Sequence, residues 1–99
     1  MQLAEQGDRV LVQAWGEIDF GSASTFEVAL RRAIEANAHG VMLDLRGVTF
    51  IDSTGLQVLA SAATMAQASR RELTLLDASP QVQHVIEMSG LQDLLPLAG

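Results

Sequence analysis

The stretch "VMLDLRGVTFIDSTGL", Val41 to Leu56, decides how the rest of the chain is read. Val41 to Leu45 is a short, nearly continuous apolar run, the pattern of a central strand covered on both sides. Arg46 to Asp52 then reads as a loop. A helix is expected from about Thr54 to Ala68, with Leu56, Leu59, Ala60, Ala63 and Ala66 as its inner stripe. The alanines would let this helix lie close to a sheet.

Upstream, Leu3 to Glu5 and Val10 to Trp15 are apolar-rich runs separated by turn residues Gly7 and Asp8, which predicts a β-hairpin. Ser24 followed by Glu27 fits a capping box. Phe26, Ala29, Leu30, Ala33 and Ile34 then recur at helical spacing, in a helix expected to end near Asn37 to Gly40 with Gly40 as its stop. Downstream, Glu72 to Asp77 reads as a strand, and Ser79 with Pro80 opens a further helix as N-cap and first helical residue. Val82, Val85 and Ile86 form its apolar face, Gly90 stops it, and Leu91 to Leu95 makes a last short helix. The expected order is ββαβαβαα. Strands separated by helices imply parallel neighbours with right-handed crossovers, hence an α/β sandwich with a small mixed sheet of about four strands shielded by helices.

Ninety-nine residues, 48% hydrophobic, suit one domain over residues 1–99. No apolar run approaches a membrane span, and "MQLAEQGDRV" has neither the basic start nor the apolar core of a signal peptide. The absence of cysteine excludes a disulfide or a thiolate metal site. A cytoplasmic protein is expected. The net charge is −6 and every basic residue is Arg, which offers no electrostatic footprint for nucleic acid or anionic membrane and suits a basic protein partner.

Asp52, Ser53, Thr54 and Gly55 stand at the predicted helix start, at the carboxyl end of a strand, where α/β sheets tend to place their sites. Two readings are open. If Asp52 is the N-cap, Ser53 is the first helical residue and its hydroxyl points outward, where a phosphate would meet the positive helix end. Gly55 would then leave room for another backbone or a nucleotide. Alternatively Ser53 itself caps the helix, and Thr54 is polar filler.

Three stretches bear on this choice: "GEID" at Gly16 to Asp19, "FIDSTGL" at Phe50 to Leu56, and "MSGL" at Met88 to Leu91. In this order they make nearly the whole chain resemble a STAS domain of the bacterial anti-sigma factor antagonists. The resemblance implies that Ser53 is phosphorylated by an anti-sigma factor that is also a serine kinase. It further implies that Asp19, Asp52, Ser53, Thr54 and Gly55 contact that partner, with Asp52 also orienting the serine hydroxyl. The unphosphorylated chain would bind the anti-sigma factor and free a sigma factor, and a phosphatase would reset Ser53. The resemblance equally covers accessory subunits of lipid-transport ABC complexes and pieces of stress-sensing scaffolds. Gln57 stands where many antagonists carry glycine, and the second helix has no basic residue before Arg70.

Nothing in the chain suggests an enzyme, a cofactor or a metal. Ser53 separates Asp52 from "TG", unlike an aspartic protease motif, and "FIDST" is not a G-x-S-x-G elbow. Asp44 at a strand end lacks the acidic pair of a phosphoacceptor aspartate. His39 is expected in a loop and His84 on a helix. Trp15, Met42, Met65 and Met88 are expected in the core.

Overall fold

The computed structural model describes residues 2–6, 9–36 and 39–96. The elements are β1 (Gln2–Gln6), β2 (Arg9–Ile18), α1 (Ala23–Ala36), β3 (Gly40–Ile51), α2 (Ser53–Ala68), β4 (Glu72–Ala78) and α3 (Pro80–Ser89), followed by a 3-10 turn, Leu91–Asp93. The expected order therefore holds, with the last short helix reduced to that turn. The four strands lie in the order β1-β2-β3-β4. β1 runs antiparallel to β2, while β2, β3 and β4 are parallel. The expected hairpin turn at Gly7 and Asp8 lies outside the described residues, as does Asn37 in the predicted helix end, Asn37 to Gly40; α1 is described as far as Ala36.

Both crossovers, β2 through α1 to β3 and β3 through α2 to β4, step across the sheet in the same direction. Right-handed connections therefore place α1 and α2 on the same face. Val10 and Val12 of β2, Val41, Leu43 and Leu45 of β3, and Leu73 and Leu75 of β4 point to that face and are buried. Phe26, Leu30 and Ile34 of α1 and Leu59 and Ala63 of α2 meet them in one core cluster. α3 packs beside the part of β3 that outruns β4. There the Ser79 hydroxyl donates to the Val48 carbonyl at 3.1 Å, and Val82 and Ile86 join the same core.

Local signals placed α3 accurately. Ser79 accepts from the Val82 amide, Pro80 is the first helical residue, and Gly90 caps the carboxyl end at φ +81°, a left-handed conformation that glycine adopts without strain. The start of α1 differs from expectation. Ser24 is exposed in the first turn, and Glu27 pairs with Arg31 at 2.7 Å rather than capping. The turn ahead of the helix is built instead by Asp19 and Ser22. Gly40 is not a helix stop but the first residue of β3, pressed so closely on Glu72 that a Cβ would sit 2.6 Å from its carbonyl oxygen.

The presumed loop after Leu45 is strand. Gln13 pairs with Asp44 but Trp15 with Gly47, and Gly16 pairs with Val48 but Glu17 with Phe50. Each step inserts one extra residue into β3, a β-bulge. Two bulges shift the side-chain phase twice, which erases the alternation that marks a strand in sequence.

Among the described residues, the other face of the sheet carries no helical layer, contrary to the expectation of a strand covered on both sides. Trp15 is 56% exposed there instead of packing in the core, and Met88 on α3 is 76% exposed. Met42 and Met65 are half-buried. Leu11, on the open face, is buried but stands apart from the main cluster.

Among the described residues, Asp44 is the buried charged side chain, 4% exposed, and it faces this side. Its Oδ1 accepts from the Arg46 amide at 3.0 Å and from Nε at 3.1 Å, while Oδ2 accepts from Arg46 Nη2 at 2.8 Å and Gln13 Nε2 at 3.3 Å. The carboxylate thus ties the two sides of the first bulge. Hydrogen bonds from Arg46 outweigh the opposing effect of burial and hold its pKa down at about 2.

Two outcomes follow for stability. A carboxylate whose pKa is lower folded than unfolded stabilises the fold above its unfolded pKa, and that stability is lost as pH falls through the folded one. Chemical denaturation should show a loss of about 2 kcal/mol between pH ~4 and ~2 that is absent in Asp44→Asn. Gly55→Ala provides the second test. An unhindered glycine-to-alanine change within a helix stabilises by up to about 1 kcal/mol. Here the added Cβ would meet Ile51 Cγ1 at 2.6 Å, so the midpoint of denaturation should fall, by about 1–3 kcal/mol.

Candidate functional site

The carboxyl ends of β2 and β3 bring "GEID" and "FIDSTGL" together. Ile18 pairs with Ile51, and the Asp52 amide donates to the Ile18 carbonyl at 3.2 Å. The chain enters α2 from there. Asp52 has an extended backbone and acts as N-cap. Its Oδ1 accepts from the Gly55 amide at 3.0 Å, and its Oδ2 accepts from the Phe20 amide at 3.1 Å. One carboxylate therefore caps α2 and ties down the turn after β2. Of the two readings open in the sequence, the structure selects the Asp52 cap. Each oxygen of that carboxylate holds one backbone amide, and no hydrogen bond joins it to the Ser53 hydroxyl.

Ser53 is the first residue of α2 and is exposed. Neither its hydroxyl nor that of half-buried Thr54 makes a hydrogen bond with the described residues. The first amides of a helix have no intrahelical partner, and they lie beside the Ser53 oxygen at the positive end of α2. A 16-residue helix thus presents a free hydroxyl in a setting that favours an added anion.

Asp19 serves its own turn. Its Oδ1 accepts from the amides of Gly21 at 3.0 Å and Ser22 at 3.2 Å, and its amide donates to Ser22 Oγ at 3.1 Å. Ser22 Oγ also donates to the Glu17 carbonyl at 2.9 Å. This knot leads directly into Phe20, whose side chain is 85% exposed. Asp19 and Asp52 are both half-buried, so they flank the site with part of their surface in solvent.

Gly55 corrects an expectation. It is buried, and a Cβ there would lie 2.6 Å from Ile51 Cγ1 and 2.9 Å from both Cγ2 and the carbonyl oxygen of Ile18. The space beside it is filled by the chain's own strands, not kept for a partner or a nucleotide. Its smallness lets α2 seat on the ends of β2 and β3, which sets where Ser53 emerges.

Sequence reasoning did not single out Phe20. The signal was an aromatic in a Gly- and Ser-containing turn, "DFGS", where burial is hard to arrange. Phe20 borders an open groove of about 520 Å³ between α1 and α2, lined also by Glu27, Thr54, Gln57 and Val58. Among the described residues no cation lines this groove, and no three His, Cys, Asp or Glu side chains gather to hold a metal ion. His39 and His84 are both exposed, one just ahead of β3 and the other on α3. No described helix is long and apolar enough to cross a membrane.

Comparison with known proteins agrees with this architecture. The model of the STAS domain family matches residues 1–98. The protein BtrV of Bordetella bronchiseptica is 30% identical over 83 residues, which cover 84% of this chain and 72% of that protein. An anti-sigma F factor antagonist of Paenibacillus polymyxa is 26% identical over 89 residues, or 89% of this chain and 76% of its own. The structure of the anti-sigma factor antagonist SpoIIAA in its unphosphorylated form superposes with a TM-score of 0.78 at 25% identity, covering 99% of this chain and 87% of that one. The match runs over nearly the whole chain, and this chain is a member of the STAS domain family.

Proposed function

We propose that this chain is a cytoplasmic anti-sigma factor antagonist whose Ser53 is phosphorylated by an anti-sigma factor with serine kinase activity. In the unphosphorylated form it occupies that partner and so releases a sigma factor. A phosphatase returns phosphorylated Ser53 to the free hydroxyl. The observation that carries the reading is the placement of Ser53: exposed, first in α2, and without an internal hydrogen-bond partner. The names of its relatives support it, as does SpoIIAA, which has been solved in unphosphorylated and phosphorylated forms.

The chain acts as substrate and ligand in this scheme, not as catalyst. Phosphoryl transfer needs a bound nucleotide, a metal ion and a group to position the nucleophile, and the partner supplies them. Ser53 Oγ attacks the γ-phosphorus of ATP, ADP leaves, and the hydroxyl proton passes to a base on the partner. Asp52 contributes position, because its two hydrogen bonds hold the first turn of α2 and the neighbouring turn in register. Asp19, Asp52 and Thr54 flank Ser53 at the partner surface, while buried Gly55 supports them from beneath.

The added phosphate carries a charge of about −1.5 to −2 at neutral pH. Within the folded chain it lies at the positive end of α2, so the fold tolerates it. At the interface it meets the phosphates of the nucleotide the partner still holds, and docking would strip it of water. Repulsion and desolvation both oppose the complex.

Incubation with the cognate anti-sigma kinase and Mg-ATP should add one phosphate, mapped to Ser53 by mass spectrometry and absent from Ser53→Ala. Ser53→Asp should weaken binding by about tenfold or more while leaving thermal unfolding nearly unchanged. Label persisting on Ser53→Ala, or full binding by Ser53→Asp, would remove the switch. Asp52 gives a separate outcome. Asparagine retains one acceptor oxygen, so Asp52→Asn can keep the Gly55 bond but loses the one from Phe20. Asp52→Ala loses both and should destabilise the fold by about 0.5–2 kcal/mol. Hydrogen exchange should show the Phe20 amide exposed in both variants and the Gly55 amide exposed only in Asp52→Ala.

A further inference from the structure

The chain has four aromatic residues, and only Phe26 is in the core. Trp15, Phe20 and Phe50 are 56%, 85% and 50% exposed. Single exposed apolar side chains are ordinary on protein surfaces. Phe20 differs in how its backbone is mounted. Its amide is held by Asp52, the preceding residue is locked to Ser22, and the following amide donates to Asp19. The residue that fixes Phe20 is also the one that caps the helix beginning with Ser53.

Phe20 therefore stands in a set position on the α1 side of Ser53. Phe50 stands on the α3 side, two residues before Asp52 in β3, beside a second groove lined by Val82 and Val85. An aromatic whose backbone is already held has only its two side-chain torsions to fix when it docks, a small cost that suits an interface anchor. The charges nearest Phe20 are acidic, with Arg31 paired to Glu27 at the far side of the groove. Glu17 and Asp19 flank it in sequence, Asp52 binds its amide, and Glu27 lines the groove it borders.

We infer that Phe20 is the docking anchor of this surface. It enters an apolar pocket of the anti-sigma kinase whose rim on that side carries Lys or Arg. This inference rests on the function proposed above and adds the chemistry of the partner's surface. Docking through Phe20 is separable from phosphoryl transfer at Ser53, because its apolar side chain has no group that could take part in the transfer. Its loss weakens association and leaves the chemical step intact. The acidic surround speeds encounter with a basic rim, so association slows as salt rises.

The probe is the anti-sigma kinase that phosphorylates Ser53 of the unaltered full chain, with binding measured on its ADP-loaded form. Phe20→Ala should raise both Kd and KM by about tenfold or more while kcat stays within about twofold. Phe20→Leu should recover part of the loss. Thermal unfolding should be unchanged, since the side chain is exposed. Met88→Ala, an equally exposed apolar change on α3, should alter neither constant. Kd and KM of Phe20→Ala within about twofold of the unaltered chain would overturn the anchor and leave the Ser53 switch standing. A fall in kcat without a rise in KM would also overturn it, by moving Phe20 into the chemical step. If no anti-sigma kinase encoded in the same genome phosphorylates Ser53, the proposed function fails and the anchor fails with it.

Discussion

The carboxylate of Asp52 accepts two backbone amides that lie far apart in sequence, those of Phe20 and Gly55. Everything at the carboxyl edge of the sheet depends on this clamp. A helix start leaves amides without partners, and a turn between a strand and a helix has few contacts to hold it. One side chain answers both needs. One bond from each oxygen joins the cap of α2 to the turn after β2 in one corner. Gly55 completes it by letting α2 press directly on Ile18 and Ile51.

That corner explains why a serine at this position suits modification. A hydroxyl on a loop would need ordering before a kinase could use it. Here the helix start is already fixed, the hydroxyl has no competing internal bond, and the local field favours an anion. Under the function proposed above, the same geometry would separate two consequences of phosphorylation. The fold is indifferent or slightly favoured, whereas a complex that must bury the anion is opposed.

The sheet is used asymmetrically. One face is closed by α1 and α2, and the core cluster lies almost wholly there. Among the described residues no helix covers the other face, and polar bonding joins its strands there. Asp44 holds Arg46 and Gln13 across the first bulge. Bulges in β3 re-aim the strand toward the corner where Asp52 and Ser53 sit, so an irregularity far from the hydroxyl contributes to its placement.

The sequence by itself determined the element order, the parallel crossovers, the bounds of α2 and α3, and the choice of Ser53 as the residue to watch. These are local matters. A helical stripe, a Ser-Pro start and a Gly stop are written within a few residues of where they act, and handedness follows from chain chirality. Only the tertiary structure decided the length of β2 and β3, the exposure of Trp15 and Met88, the inward packing of Gly55 and the prominence of Phe20. Each depends on a partner distant along the chain: Phe20 meets Asp52 across 32 positions, and Asp44 meets Gln13 across 31. Periodicity reports what one element would bury, but which surface is left without a neighbour is settled only when all the elements have packed.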